Sequence, residues 1–154
     1  MRMKSTISAP YLMLVFALVG VAIAFYDSHA IYTGRLLWCP PPIDGCNIVL
    51  QSPYGRIYGV PIGYFGFLFY LIMCAIAALL AFDPFSRGLR LGALLYTAIG
   101  VSLSICFMLV DLTLIRAFCI YCLISAILTL LLLVSAITQF RAPGYGHGLL
   151  ADEA

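Results

Sequence analysis

Ala117-Phe118-Cys119-Ile120-Tyr121-Cys122-Leu-Ile-Ser125-Ala-Ile-Leu-Thr-Leu-Leu-Leu-Leu-Val-Ser-Ala-Ile-Thr-Gln-Phe140 runs for 24 residues without a charged side chain. A helix needs roughly 20 apolar residues to cross a ~30 Å hydrocarbon core, so this stretch is long enough to span a bilayer. It is continuously apolar rather than alternating, which points to a helix and not to a strand of a membrane barrel. Three more charge-free runs lie upstream, Ser5–Tyr26, Ile57–Phe82 and Leu91–Val110, and every charge in the protein falls outside the four. Composition agrees: 64% of the residues are hydrophobic and 9% charged, against ~45–50% and ~25% in an ordinary soluble domain. A mean hydropathy of +1.11 excludes a water-soluble globule and a disordered chain. A net charge of +2 is too small for a nucleic-acid footprint. The fold class expected is an all-α membrane protein. It is a single domain of four transmembrane helices, near residues 8–26, 60–82, 90–112 and 118–138, with a flexible tail over 141–154.

Basic residues orient the bundle. With the N-terminus in the cytoplasm, the inner segments hold Arg2, Lys4, Arg87, Arg90 and Arg141, and the outer ones hold Arg35, Arg56 and Arg116. Five against three favours cytoplasmic termini under the positive-inside rule. The first loop, Asp27 to Arg56, and the third, Asp111 to Arg116, then share the outer side. A competing reading takes Arg2, Lys4 and the small residues near Ser28-His29-Ala30 as a signal peptide with its cleavage site. That would leave three spans.

Cysteine placement carries the chemistry. Cys74 and Cys106 lie inside apolar runs and read as small buried hydrophobes. The other four form two pairs at the outer ends of helices, Cys39-Pro-Pro-Pro-Ile-Asp-Gly-Cys46 and Cys119-Ile-Tyr-Cys122. A CxxC opening a helix is the arrangement that lowers a thiol pKa, because the helix N-terminus stabilises thiolate. Arg116, three residues upstream, adds positive charge. Bridging Cys39 to Cys46 requires the extended triple proline to double back, and Asp44-Gly45 supplies a turn. So short a ring is worth only ~2.5 kcal/mol on chain entropy, and a strained, exposed bridge is the kind that exchanges. The residues alone leave room for other readings: a structural bridge in the loop, a zinc-ligand pair in the CxxC, or four thiolates around one metal. The C-x6-C spacing with its prolines is unlike a zinc site, and no metal is expected.

Taken together, Cys39, the segment Cys46-Asn-Ile-Val-Leu-Gln-Ser52-Pro-Tyr-Gly-Arg-Ile-Tyr-Gly-Val-Pro-Ile-Gly-Tyr-Phe-Gly66, Tyr70 and Phe118-Cys-Ile-Tyr-Cys122-Leu-Ile-Ser125-Ala126 resemble the vitamin K epoxide reductase family. The likeness extends from the first helix to about Thr138. It implies an enzyme, a thiol oxidoreductase that uses a quinone, ubiquinone or menaquinone. Bacterial members oxidise thioredoxin-fold, DsbA-like partners and pass the electrons to quinone, supporting disulfide bond formation; vertebrate members reduce vitamin K epoxide and quinone. By this resemblance Cys39 faces the partner, Cys46 passes electrons to Cys119, and Cys122 sits nearest the quinone. Ser52 matches a serine of the active-site region, and Asp111 matches a position often acidic in bacterial members; both are expected near the cofactor. The vertebrate quinone contacts, an Asn and a Tyr, are replaced by Ile62 and Ala126, which implies the bacterial activity rather than epoxide reduction. No thioredoxin-like segment follows the last helix, which implies a separate partner. The implied location is a bacterial inner membrane, multi-pass, with the cysteines facing the periplasm or exterior. The remaining alternative is a non-catalytic membrane protein with structural or metal-binding cysteines.

Overall fold

The computed structural model describes residues 2–40 and 45–141, with side chains from residue 9 onward. Pro41, Pro42, Ile43, Asp44 and the 142–154 tail lie outside the described residues; with them go the turn expected at Asp44 and the expected flexibility of the tail. Four helices are long and apolar enough to cross a membrane. They are α1 (Arg2–Thr33), α3 (Ile62–Phe82), α4 (Arg87–Val110) and α5 (Ile120–Phe140), and the short helix α2 (Cys46–Gln51) follows the first loop. A two-residue hairpin of β1 (Arg56–Ile57) and β2 (Val60–Pro61) leads into α3.

Helix α1 packs most extensively on α3 and also on α5, which in turn packs on α4. The α3–α4 contact is the lightest of these. Met13, Ala17, Tyr70, Met73, Ala77, Ala93 and Leu132 form the shared core, each at most 1% exposed. Many larger apolar side chains, Leu18, Leu68, Leu95 and Leu130 among them, point outward. In water that would be a defect, but against lipid it is the expected surface.

Two helix ends differ from the sequence reading. Helix α1 continues seven residues past Tyr26 to Thr33, because nothing between Asp27 and Thr33 breaks a helix. It stops at Gly34, whose φ of +65° allows the two bonds that close a Schellman cap. These are Gly34 N–H to Ile31 O at 3.3 Å and Arg35 N–H to Ala30 O at 3.0 Å. Asp27 is therefore a residue of a spanning helix and not the first residue of a loop. At the other site, Asp111–Ile115 is not a loop but a π-helical turn prolonging α4. It ends at Arg116, which adopts a left-handed φ of +54°. Such widened turns recur at functional sites.

Arg90, expected to open the third spanning helix, lies on the first turn of α4 and is 1% exposed. Its Nε donates to Pro84 O at 2.7 Å and its guanidinium lies 5.7 Å from the Phe85 ring centroid. Cys74 is half-buried, and Cys106 is exposed on the lipid-facing side rather than buried in the protein.

Candidate redox site and apolar cavity

Both cysteine pairs meet at one end of the bundle. Cys39 and Cys46 form a disulfide with Cα atoms 6.5 Å apart, while Cys119 and Cys122 are free thiols. The loop is fixed by side chains that sequence reading missed. Asn47, on the first turn of α2, accepts from Leu37 N–H at 2.8 Å and donates to Leu37 O at 3.1 Å. Tyr121, between the two cysteines of the CxxC, donates to Trp38 O at 2.8 Å. Three bonds, each worth roughly 1 kcal/mol net, thus hold the residues just before Cys39 against α2 and α5. A lone Asn and a Tyr carry no pattern that would single them out in a sequence.

Gly45 explains how the pairs come so close. A Cβ there would lie 2.6 Å from Phe118 N and 2.7 Å from Phe118 O, so any other residue would push the loop off the CxxC segment. Its φ of −68° is open to every residue. Gly45 lies in a turn, and what requires a glycine there is the close backbone approach.

The two middle cysteines are the enclosed ones, Cys46 and Cys119, while Cys39 and Cys122 are half-buried. Cys39 is half-buried beside Trp38, which is 73% exposed. Cys46 is fully buried and packs in one cluster with Val49 and with Cys119, itself 3% exposed. The loop disulfide is open to the outside on its Cys39 side alone. Val49 turns inward onto this cluster, while Ile48 and Tyr54 are exposed. Helix α2 is short and its inward face is spent on the cysteines.

Cys119 is the N-cap of α5: its Sγ accepts from Cys122 N–H at 3.4 Å. The hydrogen bond with the Cys122 thiol, reinforced by backbone N–H groups of Cys122 and Tyr121, pulls the Cys119 thiol below its ordinary pKa against the opposing effect of burial. Arg116, credited by sequence with part of this effect, is exposed and serves to turn the chain. Thiolate is the reacting form, so Cys119 should alkylate at a pH where a free thiol, with a pKa near ~8.5, is still protonated. Removing the donor in Cys122→Ala should move the midpoint of Cys119 alkylation upward, read by mass spectrometry across a pH series. An unchanged midpoint would refute the hydrogen-bond origin of the shift.

Cys122 opens on the other side, into a cavity of about 200 Å³ between the helices. Phe65, Phe69, Leu103, Phe107 and Ile23 give it an apolar wall, with contributions from all four spanning helices. A few polar groups face it. Tyr70 OH lies 2.9 Å from both Ser125 O and Ser125 Oγ, and Ser104 Oγ lies 3.3 Å from Thr129 Oγ1. Asp111 lines the cavity from the π turn, 8% exposed, with its carboxyl in hydrogen-bonding contact with Cys122. Asp27 lines it from α1, 9% exposed. An apolar, aromatic hollow with a few convergent polar groups suits a ring with polar oxygens, so the residues present fit a quinone head.

Of the residues read from sequence, the four cysteines and Asp111 come together here. Ser52 does not reach the cavity lining. Its Oγ donates to Val49 O at 2.7 Å and accepts from Gly55 N–H at 3.1 Å, capping the turn Pro53–Gly55 that follows α2. Ile62 lines the cavity, as its alignment with a vertebrate quinone contact implied, whereas Ala126 does not. Among the described residues no group of three or more His, Cys, Asp or Glu side chains is placed to hold a metal ion.

The model of the Vitamin K epoxide reductase family matches residues 11–137, a range that takes in most of each spanning helix, both cysteine pairs and the cavity lining. Comparison with curated proteins gives no match.

Proposed function

From the premise that the chain belongs to the vitamin K epoxide reductase family, and so is a multi-pass membrane thiol–disulfide oxidoreductase linked to quinone, we propose that it reoxidises an extracytoplasmic thioredoxin-fold protein. Electrons pass from the partner's dithiol to Cys39–Cys46, then to Cys119–Cys122, then to quinone in the cavity. The observation that carries this reading is the division of the CxxC: Cys119 packs on buried Cys46, while Cys122 lines the cavity. A thiolate attacks one sulfur of a disulfide and the other sulfur leaves. The partner's thiolate attacks Cys39, the more open sulfur, and Cys46 leaves toward Cys119.

The balance closes without a further reagent. Each exchange moves two electrons as one S–S bond breaks and another forms. In the last step Cys119 and Cys122 form their disulfide, releasing the two electrons and two protons that turn a quinone into a quinol. A quinone, ubiquinone or menaquinone, supplies the oxidising power when bound. A DsbA-type partner has a potential near about −120 mV and needs a stronger acceptor, and a lipid-soluble one is reachable only from within the membrane. Asp111, against the Cys122 thiol, is suited to take its proton. The apolar Ile62 in the cavity wall favours plain quinone reduction over epoxide reduction. We place the enzyme in a bacterial cell membrane, with both termini cytoplasmic and the cysteines facing the periplasm or exterior.

The test is quinone reduction by the purified full chain in detergent, driven by a reduced thioredoxin-fold protein. Quinol should accumulate in step with partner disulfide, mole for mole. Partner oxidation that proceeds equally without quinone would refute the proposal.

A further inference from the structure

Quinone chemistry at this site needs protons as well as electrons, and the polar groups of the cavity differ in what they can give. Tyr70 is engaged with Ser125, and Ser104 faces Thr129. Asp111 is engaged with Cys122 on the side where a thiol proton is released. Asp27 is left over. It lines the same cavity from α1, is 91% buried, and its Oδ1 is shielded from solvent with no hydrogen-bond partner. It is close enough to Cys119, Cys122 and Tyr121 to interact with them electrostatically.

A carboxyl group in a spanning helix is expensive to place, and one lacking a partner more so. Packing gives no reason for it, since the same helix buries Met13, Ala17 and Ala24. A carboxyl can hold a proton at neutral pH in such surroundings and give it to an oxygen within reach. Serine, threonine and tyrosine hydroxyls do this far less readily at that pH.

We propose that Asp27 is a catalytic residue of quinone reduction, the acid that delivers a proton to a quinone oxygen. The inference rests on the reading that quinone occupies this cavity. Asp27 gives one proton as the Cys119–Cys122 disulfide forms and recovers one from the outer aqueous face. The two protons released by the thiols match the two taken up, so the overall reaction is unchanged.

The experiment uses the full chain in detergent, reducing decylubiquinone with a reduced thioredoxin-fold protein in excess as electron donor. Asp27→Asn should slow quinol formation about 100-fold or more, in kcat rather than in KM, while the loop disulfide still oxidises a thioredoxin-fold dithiol in a single turnover at the wild-type rate. Asp27→Glu, which keeps the acid, should recover most of the rate and the solvent deuterium isotope effect of wild type. Quinol formation at full rate in Asp27→Asn overturns the proposal, and so does a loss confined to KM. If Asp27→Asn does not fold, the infrared difference spectrum of wild type on quinone reduction decides. It should contain a carboxylic-acid signal that persists in Asp111→Asn, and its absence overturns the assignment. A wild-type protein that forms no quinol refutes the cavity reading itself, an outcome distinct from equal activity in wild type and Asp27→Asn.

Discussion

Cys46→Ser should reduce steady-state partner oxidation by roughly 100-fold or more, as removal of one member of an obligate catalytic set does. It should also leave Cys39 able to capture a partner and unable to release it. The reason is the burial difference between two bonded cysteines: Cys39 is half-open beside exposed Trp38, while Cys46 is fully enclosed against Cys119. A partner variant retaining only its attacking cysteine, activated as a mixed disulfide with thionitrobenzoate, makes the test stoichiometric. The Cys39 thiolate attacks the activated sulfur, thionitrobenzoate leaves and is counted by its colour, and a Cys39–partner disulfide remains. In the fully reduced wild-type protein Cys46 would break that bond and free the partner. In Cys46→Ser no thiol of the loop can, so the adduct persists on a non-reducing gel. Cys39→Ser should give no adduct, because Cys46 is out of the partner's reach. A loop disulfide that merely braces the fold predicts instead a loss of stability in both variants and no difference between them in capture.

Sequence and structure part company at the helix ends. Four charge-free runs long enough to span a bilayer identified the spanning helices, because a buried charge in lipid is costly enough to leave an unmistakable gap in the sequence. The same rule misplaced Asp27. It treated the first charge after a run as the membrane boundary, whereas α1 ignores the charge and runs on to Gly34, the first residue that can end it. A helix stop signal was the better guide than the charge. The π turn over Asp111–Ile115 was hidden for a related reason, since Asp111 and Arg116 flank a segment whose polarity resembles a loop.

Within the site, the cysteines were legible because their spacing has few uses, and a CxxC at a helix start has a physical consequence that the hydrogen bonds of Cys119 bear out. For Ser52 and Gly45 the contacts were hidden. The Ser52 hydroxyl bonds the backbone of Val49 and Gly55, and Gly45, in the turn before α2, also lets two backbones touch. Asn47, Tyr121 and Tyr70 act through contacts made by folding, separated from their partners by 10, 83 and 55 positions. No local pattern encodes such distances.

Cys119→Ser separates the two halves of the electron path. The Cys39–Cys46 disulfide does not depend on Cys119 to exist, so the variant, purified oxidised, should oxidise one equivalent of reduced partner. It should then stop, holding a reduced loop pair that has no disulfide to attack. Quinol should not form at any quinone concentration, because Cys122 alone cannot give up two electrons as a disulfide. Cys122→Ser should stop at the same stage for a different reason, as Cys119 is left with no sulfur to pair with. The wild-type protein, by contrast, turns over until partner or quinone is exhausted. The measurement is the ratio of partner disulfide to enzyme after long incubation with excess quinone: near one in both variants and, in wild type, equal to the ratio of partner to enzyme supplied. Continued turnover in Cys119→Ser would mean that the loop pair reaches quinone directly. That would contradict the division of labour suggested by Cys46 packing on Cys119 while Cys122 lines the cavity. A ratio near zero would mean that the loop disulfide cannot accept electrons from the partner at all, and the order of the chain would have to be reversed.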